Sequence, residues 1–471
     1  MFFCAMSDFC PHYPIPKKKR SSILGMFFGK QRSWLDGLYE RSYQMQMGEV
    51  RLPGVHLYMV NQPTLVKEIL SERAAQFPKH ELLDDALGDL LGKSIFTTNG
   101  PTWERQRAMM EPAFSSRGLG NSEAPMQAAA GAFLLQLHSL AKNEPVNIED
   151  LLSHVTADVI FRTIFSQALN TQESGDLIAA FARYQALVPT LALPKIFNLR
   201  FLRSPKAKRE SALAAKVIRE ALAKLIAPRF LEYQSSGQTK ADILGSFSQA
   251  RDPHTGSAFS AEELLDQVCM LFLAGHETSA SALSWCWYLL ANAPEIQARL
   301  HTEIVTAIGN QSEPDIKELL KLELLRNVFR ESLRLFPPVG FFARQTTQPE
   351  CMRDKQLKTG AAVLIAPWLI QRHRRYWPKP DAFDPDRYSR HDAQYEQNRA
   401  ALRDAYLPFG MGARVCIGNA FALQEAVLIL ALVLRDFELL PVPSRTPQPV
   451  GRLTIRSSNG IWLTLCPRKA L

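Results

Sequence analysis

The stretch LPFGMGARVCIGNAFALQEA, residues 407–426, decides how this chain is read. It sets Phe409, Gly410, Gly412, Arg414, Cys416 and Gly418 in a loop and then runs into an apolar helix. So many glycines cost backbone entropy on folding, so the loop must gain something from close approach. Cys416 falls where its sulfur meets a helix N-terminus, whose partial positive charge and unpaired N–H groups stabilise a thiolate. Arg414 adds a nearby cation. Taken alone, the stretch fits a buried structural cysteine beside a tight turn as well as it fits a metal ligand. A lone thiolate with no second sulfur or histidine nearby suits iron in a porphyrin better than zinc, which takes four protein or water ligands.

The rest of the composition is that of an ordinary globular chain. Its 471 residues are 46% hydrophobic and 21% charged, with a net charge of +9. That surplus is compatible with an acidic protein partner, an anionic membrane or nucleic acid, and decides among none of them. The seven cysteines form no C-x-x-C pair, as in proteins of a reducing compartment. The N-terminus MFFCAMSDFCPHYPIPKKKR is no secretory signal, because Ser7 and Asp8 break its apolar run and the basic cluster follows it. Lys17 to Arg20 read as a solvated arm, and nucleic-acid binding is not expected. No segment reaches the roughly 20 apolar residues that a transmembrane helix needs. A cytoplasmic protein without a transmembrane anchor is the expectation.

The pattern along the chain is mainly α with a minor β portion. Residues 1–30 are expected to form a flexible N-terminal arm and 31–471 a single catalytic domain. EVRLPGVHLYMV, within 40–75, has the β-branched alternation of strands. Residues 100–340 read mostly as helices, 340–390 as short strands and loops, and 417–436 as another helix. RLTIRSSNGIWLTLC, 452–466, reads as a hairpin turning at Asn459-Gly460. One long helix has clear ends, a capping box at Ser260-Ala261-Glu262-Glu263 and a stop at Asn292 and Pro294. It is apolar nearly all round, so it should cross the interior.

Three further motifs stand out. Ala274-Gly275-His276-Glu277-Thr278 interrupts the long helix with a glycine, which costs roughly 1 kcal/mol relative to alanine there. It is either a helix crossing that needs small residues or a notch for a ligand, with Glu277 and Thr278 able to pass protons. The buried acid favours the notch, since a carboxylate there is costly unless used or paired. In FRESLRLFPPV, Glu331 and Arg334 are three apart and can pair, with Arg387 of FDPDRY as a further partner. In GPTWERQRAMMEPAF, Trp103 and Arg107 share a helical face, as a stacked pair or as two donors aimed at a carboxylate or phosphate.

Together these pieces resemble the cytochrome P450 superfamily of haem-thiolate monooxygenases. Phe409 to Gly418 matches its haem-binding pattern F-x-x-G-x-R-x-C-x-G at every fixed position. Ala274 to Thr278 is similar to its A-G-x-[DE]-T motif, Glu331 to Arg334 to E-x-x-R with Arg387 as third member, and Trp103 and Arg107 to W-x-x-x-R. The motifs span about residues 90 to 465 in family order. The resemblance implies the cytochrome P450 fold, with haem b between the long central helix and the Cys416 loop with the last helix. Cys416 would be the iron's axial ligand. Arg414, Trp103, Arg107 and Arg344 would hold the propionates, with Phe409 beside the ring. Ala274 and Gly275 would leave room for dioxygen, and Thr278 and Glu277 would deliver protons. Glu331, Arg334 and Arg387 would be structural.

The same resemblance places Leu271, Phe272, Ala274, Val339, Gly340, Phe341, Phe342 and the 458–461 turn with Ile461 at the substrate pocket. Their apolar character predicts a hydrophobic substrate: a terpenoid, fatty acyl chain, steroid or aromatic hydrocarbon. At least one of Phe341 and Phe342 must pack the core instead, since strand neighbours point oppositely. Electrons are expected from a separate ferredoxin and its NAD(P)H-dependent reductase, with acidic ferredoxin steered by charges such as Arg105. Two rival readings stand beside oxygen insertion. A peroxide-using or rearranging haem-thiolate enzyme would need no proton relay, which Glu277 and Thr278 argue against. A non-catalytic haem-based ligand sensor would want a signalling domain, which the sequence does not show.

Overall fold

The structure is a computed structural model that describes residues 9–13, 16, 18, 33–52, 55–140, 144–169, 171–196, 204–391 and 395–468. Helices of ten residues or more are numbered in chain order. They are α1 Leu82–Leu91, α2 Gly100–Met110, α3 Glu123–Leu140, α4 Ile148–Phe165, α5 Thr171–Ile196 and α6 Pro205–Ser236. There follow α7 Ala261–Ala291, α8 Pro294–Ile308, α9 Glu323–Leu335, α10 Tyr395–Asp404 and α11 Asn419–Asp436. The strands are β1 Met47–Leu52, β2 Val55–Val60, β3 Pro145–Asn147, β4 Phe342–Gln345, β5 Glu350–Met352 and β6 Lys355–Leu357. The last are β7 Ala362–Ile365, β8 Phe437–Pro441, β9 Pro449–Gly451, β10 Ile455–Ser457 and β11 Trp462–Pro467.

The long helix organises the rest. The Ser260 hydroxyl accepts the Glu263 N–H at 3.1 Å, and the Glu263 carboxylate accepts the Ser260 N–H at 2.9 Å, so α7 starts at its capping box. It runs unbroken to Ala291 and packs on α4, α6, α9 and α11. Nearly every residue of α7 from Leu264 onward is buried, which is why its sequence is apolar all round. The larger sheet orders its strands β1-β2-β7-β4, with β2 and β7 parallel and the other pairs antiparallel. A second apolar cluster, containing Val363, Ile365, Trp377 and Leu407, lies on that sheet.

Two expectations need correction. The 452–466 segment turns at Gly460, whose φ is +75°, but its two arms do not pair with each other. β10 pairs with β9, whereas β11 pairs with β8 and β3. The Asn147 side chain accepts the Ile461 N–H at 3.3 Å and the Ile461 carbonyl accepts the Ile148 N–H at 2.9 Å, so β3 captures the second arm. Part of the expected flexible arm is packed. The Phe9 carbonyl accepts the Phe383 N–H, its ring meets Tyr288 edge-on, and Tyr13 lies against the buried Arg372 guanidinium. Of the basic run 17–20, all but Lys18 lie outside the described residues.

Candidate active site

The Cys416 loop is built on glycine conformations that other residues avoid. Gly410 and Gly412 have φ of +74° and +72°. A Cβ on Gly412 would stand 2.3 Å from the Leu70 carbonyl oxygen, so this glycine lets the loop lie against backbone. The Phe409 carbonyl accepts the Cys416 N–H at 2.9 Å, which folds the chain back and presents the sulfur. Cys416 keeps accessible surface although protein encloses it on most sides, so it opens onto interior space. Burial pushes its thiol up, against the lowering effects of the Gly418 N–H and Arg107. The helix start and cation are thus present as expected, but burial outweighs them in the free thiol.

Beside this loop, four cations converge. Arg414 lies over the Trp103 ring at 4.1 Å and donates to the Thr98 carbonyl and the Asn99 side chain. Arg107 donates to the Val415 carbonyl at 2.9 Å and to Glu111 at 2.9 Å, tying α2 to the residue before the cysteine. Arg344 is buried, and its guanidinium finds the carbonyl of Ala343 alone among the described residues. Lys79 is the fourth. Its ammonium donates to the carbonyls of Ile95 and Phe96, and burial, then Arg414, Arg344 and Arg107, push it well below the usual lysine range. Burial holds Arg344 at about 10, and Arg414 opposes its charge further. Glu104 acts on Arg414, but no carboxylate acts on Lys79 or Arg344 among the described residues.

Uncompensated buried positive charge is expensive. A group bringing two carboxylates, as a porphyrin's propionates do, fits this cluster, and the accessible Cys416 sulfur fits its iron. Sequence reasoning found Trp103, Arg107, Arg344 and Arg414 but missed Lys79, because a single lysine after a proline carries no signal.

Across the interior, α7 presents its notch. Ala274, Gly275 and Thr278 keep accessible surface within an otherwise buried stretch. The Thr278 hydroxyl donates back to the Ala274 carbonyl at 2.7 Å, the local bond that serines and threonines make in helices. The room at Gly275 is taken from outside the helix, since a Cβ there would stand 3.0 Å from Ile160 of α4. Gly275 therefore serves the crossing of α7 and α4. Glu277 is buried and paired. Arg456 donates to both its oxygens, at 3.1 and 2.9 Å, and Thr454 donates at 2.6 Å. Burial, the largest single influence, would raise this carboxyl, yet Arg456, His276 and Thr454 together keep the acid below its usual range. Arg456 and Thr454 were not anticipated from sequence.

The Glu331 centre is closed on itself. Arg334 grips the carboxylate with two bonds of 2.8 Å, and Arg387 and Tyr388 add one each at 3.0 Å. Burial alone would raise Glu331, but Arg334 and Arg387 hold it at about 2. Arg334 also donates to the Gln371 carbonyl, and the Gln371 side chain accepts the Leu407 N–H at 2.8 Å. The buried ion pairs thereby fix the strand of chain that enters the cysteine loop.

The residues expected at a substrate pocket separate. Leu271 is a buried member of the main core and Phe341 packs against it, while Val339 and Phe341 are partly accessible. Phe272 is fully buried between Phe161 and Phe181, and Ile461 is fully buried in the core, so neither is an open pocket wall. Gly340 lies under the Trp34 indole, 2.2 Å from where its Cβ would be. Phe341 meets Trp34 edge-on at 5.4 Å, whereas Phe342 joins the cluster near Gly410 and Met411. Arg105 does not present a free charge. It pairs with Glu263 at 2.5 Å and with Asp252 at 3.8 Å, over the Phe259 ring. Phe409 packs against the main core.

Comparison with known proteins bears on this arrangement. A sequence model described as Cytochrome P450 matches residues 29–462. Cyclooctatin synthase of Streptomyces melanosporofaciens is 30% identical over 417 residues, 86% of each chain. Cyclooctat-9-en-7-ol 5-monooxygenase of the same organism is 30% identical over 403 residues, 84% of this chain and 83% of that one. Protein LUTEIN DEFICIENT 5 of Arabidopsis thaliana is 28% identical, covering 87% of this chain and 70% of that protein. Among solved structures, the crystal structure of the cytochrome P450DA haem domain aligns with TM-score 0.79 and 25% identity over 90% of each chain. No helix among the described residues is long and apolar enough to cross a membrane.

Proposed function

The chain belongs to the cytochrome P450 family and is a monooxygenase, and from that premise we propose that it inserts one atom of dioxygen into a C–H or C=C bond of a hydrophobic substrate. Haem b, bound through the Cys416 thiolate, would supply the activation of dioxygen. Lys79, Arg344 and Arg414, with Trp103 under Arg414, would hold its propionates. Arg107 would brace the cysteine loop through the Val415 carbonyl. The observation that carries this reading is the cluster of mutually repelling cations, with the buried Arg344 among them, beside an accessible cysteine sulfur, an arrangement that fits a dianionic metal-bearing group.

Each protein residue then has a task. Gly418 N–H donation and Arg107 would stabilise the sulfur anion against the burial that opposes it. Thr278, with its hydroxyl proton given to the Ala274 carbonyl, presents its oxygen as an acceptor in the notch. Glu277 would carry the proton that reaches that site, once released from Arg456. The apolar residues Leu271, Val339 and Phe341 would bind substrate by excluding water. The relatives named for cyclooctatin and for cyclooctat-9-en-7-ol, by its name a cyclic alkene alcohol, support an apolar ring compound. Two electrons would come from a separate ferredoxin and its NAD(P)H reductase.

Reduced protein exposed to carbon monoxide should show a Soret band far to the red, the signature of thiolate ligation, and Cys416→Ser should abolish it. A colourless protein after haem supplementation, or a histidine as axial donor, overturns the reading. Product formed with ferredoxin and reductase identifies the monooxygenase, and product formed with peroxide but none with ferredoxin and reductase contradicts it.

A further inference from the structure

Arg456 is shared by two acids, and only one of them belongs to a motif. Its Nε and Nη2 serve Glu277, and Nη2 also donates to Ser153 at 3.0 Å. Its Nη1 is buried and has no hydrogen-bond acceptor among the described residues. That nitrogen lies 3.9 Å from Glu149 Oε1, on the first turn of α4. Glu149 is itself nearly buried and accepts the Ser457 N–H at 3.1 Å, one residue beyond Arg456 on β10. Buried guanidinium donors are almost always satisfied, so an idle one aimed at a second carboxylate marks a cation with two pairings available.

We propose that Glu149 is a positioning residue of the proton-handling apparatus, which competes with Glu277 for Arg456 and so sets how firmly Glu277 is held. The proposal rests on the reading of Glu277 as the carrier of the proton to Thr278. The charged and titratable groups around the pair are Arg456 on β10, Asp150 and Glu149 on α4, and His276 and Glu277 on α7. When Glu149 is neutral, Arg456 belongs wholly to Glu277, which stays ionised and pinned. When Glu149 is ionised, it draws on the same guanidinium and adds a like charge beside Glu277, and both effects favour a protonated, released Glu277. Burial raises Glu149, in keeping with an acid that changes state more readily than its partner.

The test uses the haem-loaded protein with Glu149→Gln, Arg456→Lys, Arg456→Met and Glu277→Gln. A red-shifted carbon monoxide band in each variant certifies fold and ligation before anything else is read. The protonated-carboxyl infrared band of Glu277, identified by its loss in Glu277→Gln, is titrated in resting protein without turnover. Glu149→Gln should lower its midpoint by about one unit, a roughly tenfold smaller protonated fraction at a given pH. Arg456→Met should raise it, and Arg456→Lys should return it towards the wild type. In turnover, Glu149→Gln should yield less product per electron pair, more peroxide and a larger solvent deuterium isotope effect. An unmoved Glu277 midpoint and isotope effect in Glu149→Gln overturn the proposal. If Glu277→Gln changes neither the product yield per electron pair nor the isotope effect, the relay reading itself falls, and this proposal with it.

Discussion

Glu331→Gln removes the one negative charge that two fully buried arginines share. Arg334 and Arg387 are 0% and 1% exposed, and their three contacts to the Glu331 carboxylate fall between 2.8 and 3.0 Å, with Asp384 a more distant partner of Arg387 at 3.8 Å. Gln keeps the shape but offers Arg334 an NH2 group where an oxygen stood. Stripping one partner from a buried ion pair typically costs about 3–5 kcal/mol, because the remaining charge stays desolvated. An independent magnitude comes from protonation. The fall from an ordinary 4.5 to about 2 corresponds to about 3 kcal/mol at roughly 1.4 kcal/mol per unit.

The sign of the pH effect is fixed by that depressed value. Its contribution is complete above the unfolded value near 4.5 and disappears as pH falls through 4.5 towards about 2. Equilibrium chemical denaturation at pH 7 should therefore show a loss of about 3–5 kcal/mol, and the gap to wild type should narrow below pH 4.5. For a chain of 471 residues, with an unfolding entropy near 2 cal/mol/K per residue, the melting temperature should drop by about 3–5 °C. Haem retention should fall too, because Arg334 positions Gln371 and Gln371 holds Leu407. A loss below about 1 kcal/mol with unchanged haem content would refute the argument that this centre anchors the cysteine loop.

Two other perturbations have opposite signatures. Lys79→Met should weaken haem retention by roughly tenfold or more, since a charge-assisted bond contributes about 1.5–3 kcal/mol, while haem-free protein gains or holds stability as like-charge repulsion is relieved; haem transfer to an acceptor globin and denaturation of both forms check the two halves. Gly412→Ala should destabilise by about 2 kcal/mol or more, from left-handed backbone strain plus a clash with the Leu70 carbonyl, and calorimetry reads it.

What the sequence revealed depended on how local the cause was. The capping box at Ser260 and Glu263 and the close-packed loop glycines follow from neighbours within four residues and stand as anticipated, and the back-bond of Thr278 has the same local cause. Lys79, Gln371, Glu149 and Arg456 were invisible for the converse reason. Each looks like a surface polar residue until the fold brings it to a partner, and Gln371 meets Leu407 36 positions away while Arg456 meets Glu277 179 away. Gly275 and Arg105 show a different limit. A small residue in a helix and a cation near a motif each allow two readings, and only the fold reveals that Ile160 stands where a Gly275 side chain would go and that Arg105 pairs with Glu263. The Asn459-Gly460 turn was legible, but pairing was not, because turn chemistry says nothing about which strand waits on the other side.

The contrast between the two arginine centres is the strongest argument for what the protein lacks on its own. Around Glu331 the fold gathers two guanidinium groups and closes them with a carboxylate, a tyrosine hydroxyl and backbone carbonyls, so that nothing further is needed. Around Cys416 the same fold gathers Lys79, Arg344 and Arg414 and supplies carbonyls and one peripheral glutamate. Cations that repel one another with little counter-charge destabilise the chain that carries them, the buried Arg344 most of all. Trp103 and Phe96 lie under Arg414 and Lys79, but no carboxylate pairs directly with any of the three among the described residues. On the proposed reading their compensation would arrive with the haem carboxylates, and the thiol beside them would hold its iron. Stability and cofactor loading would then be one equilibrium: each cation that makes the haem-free chain less stable would make the loaded one more so.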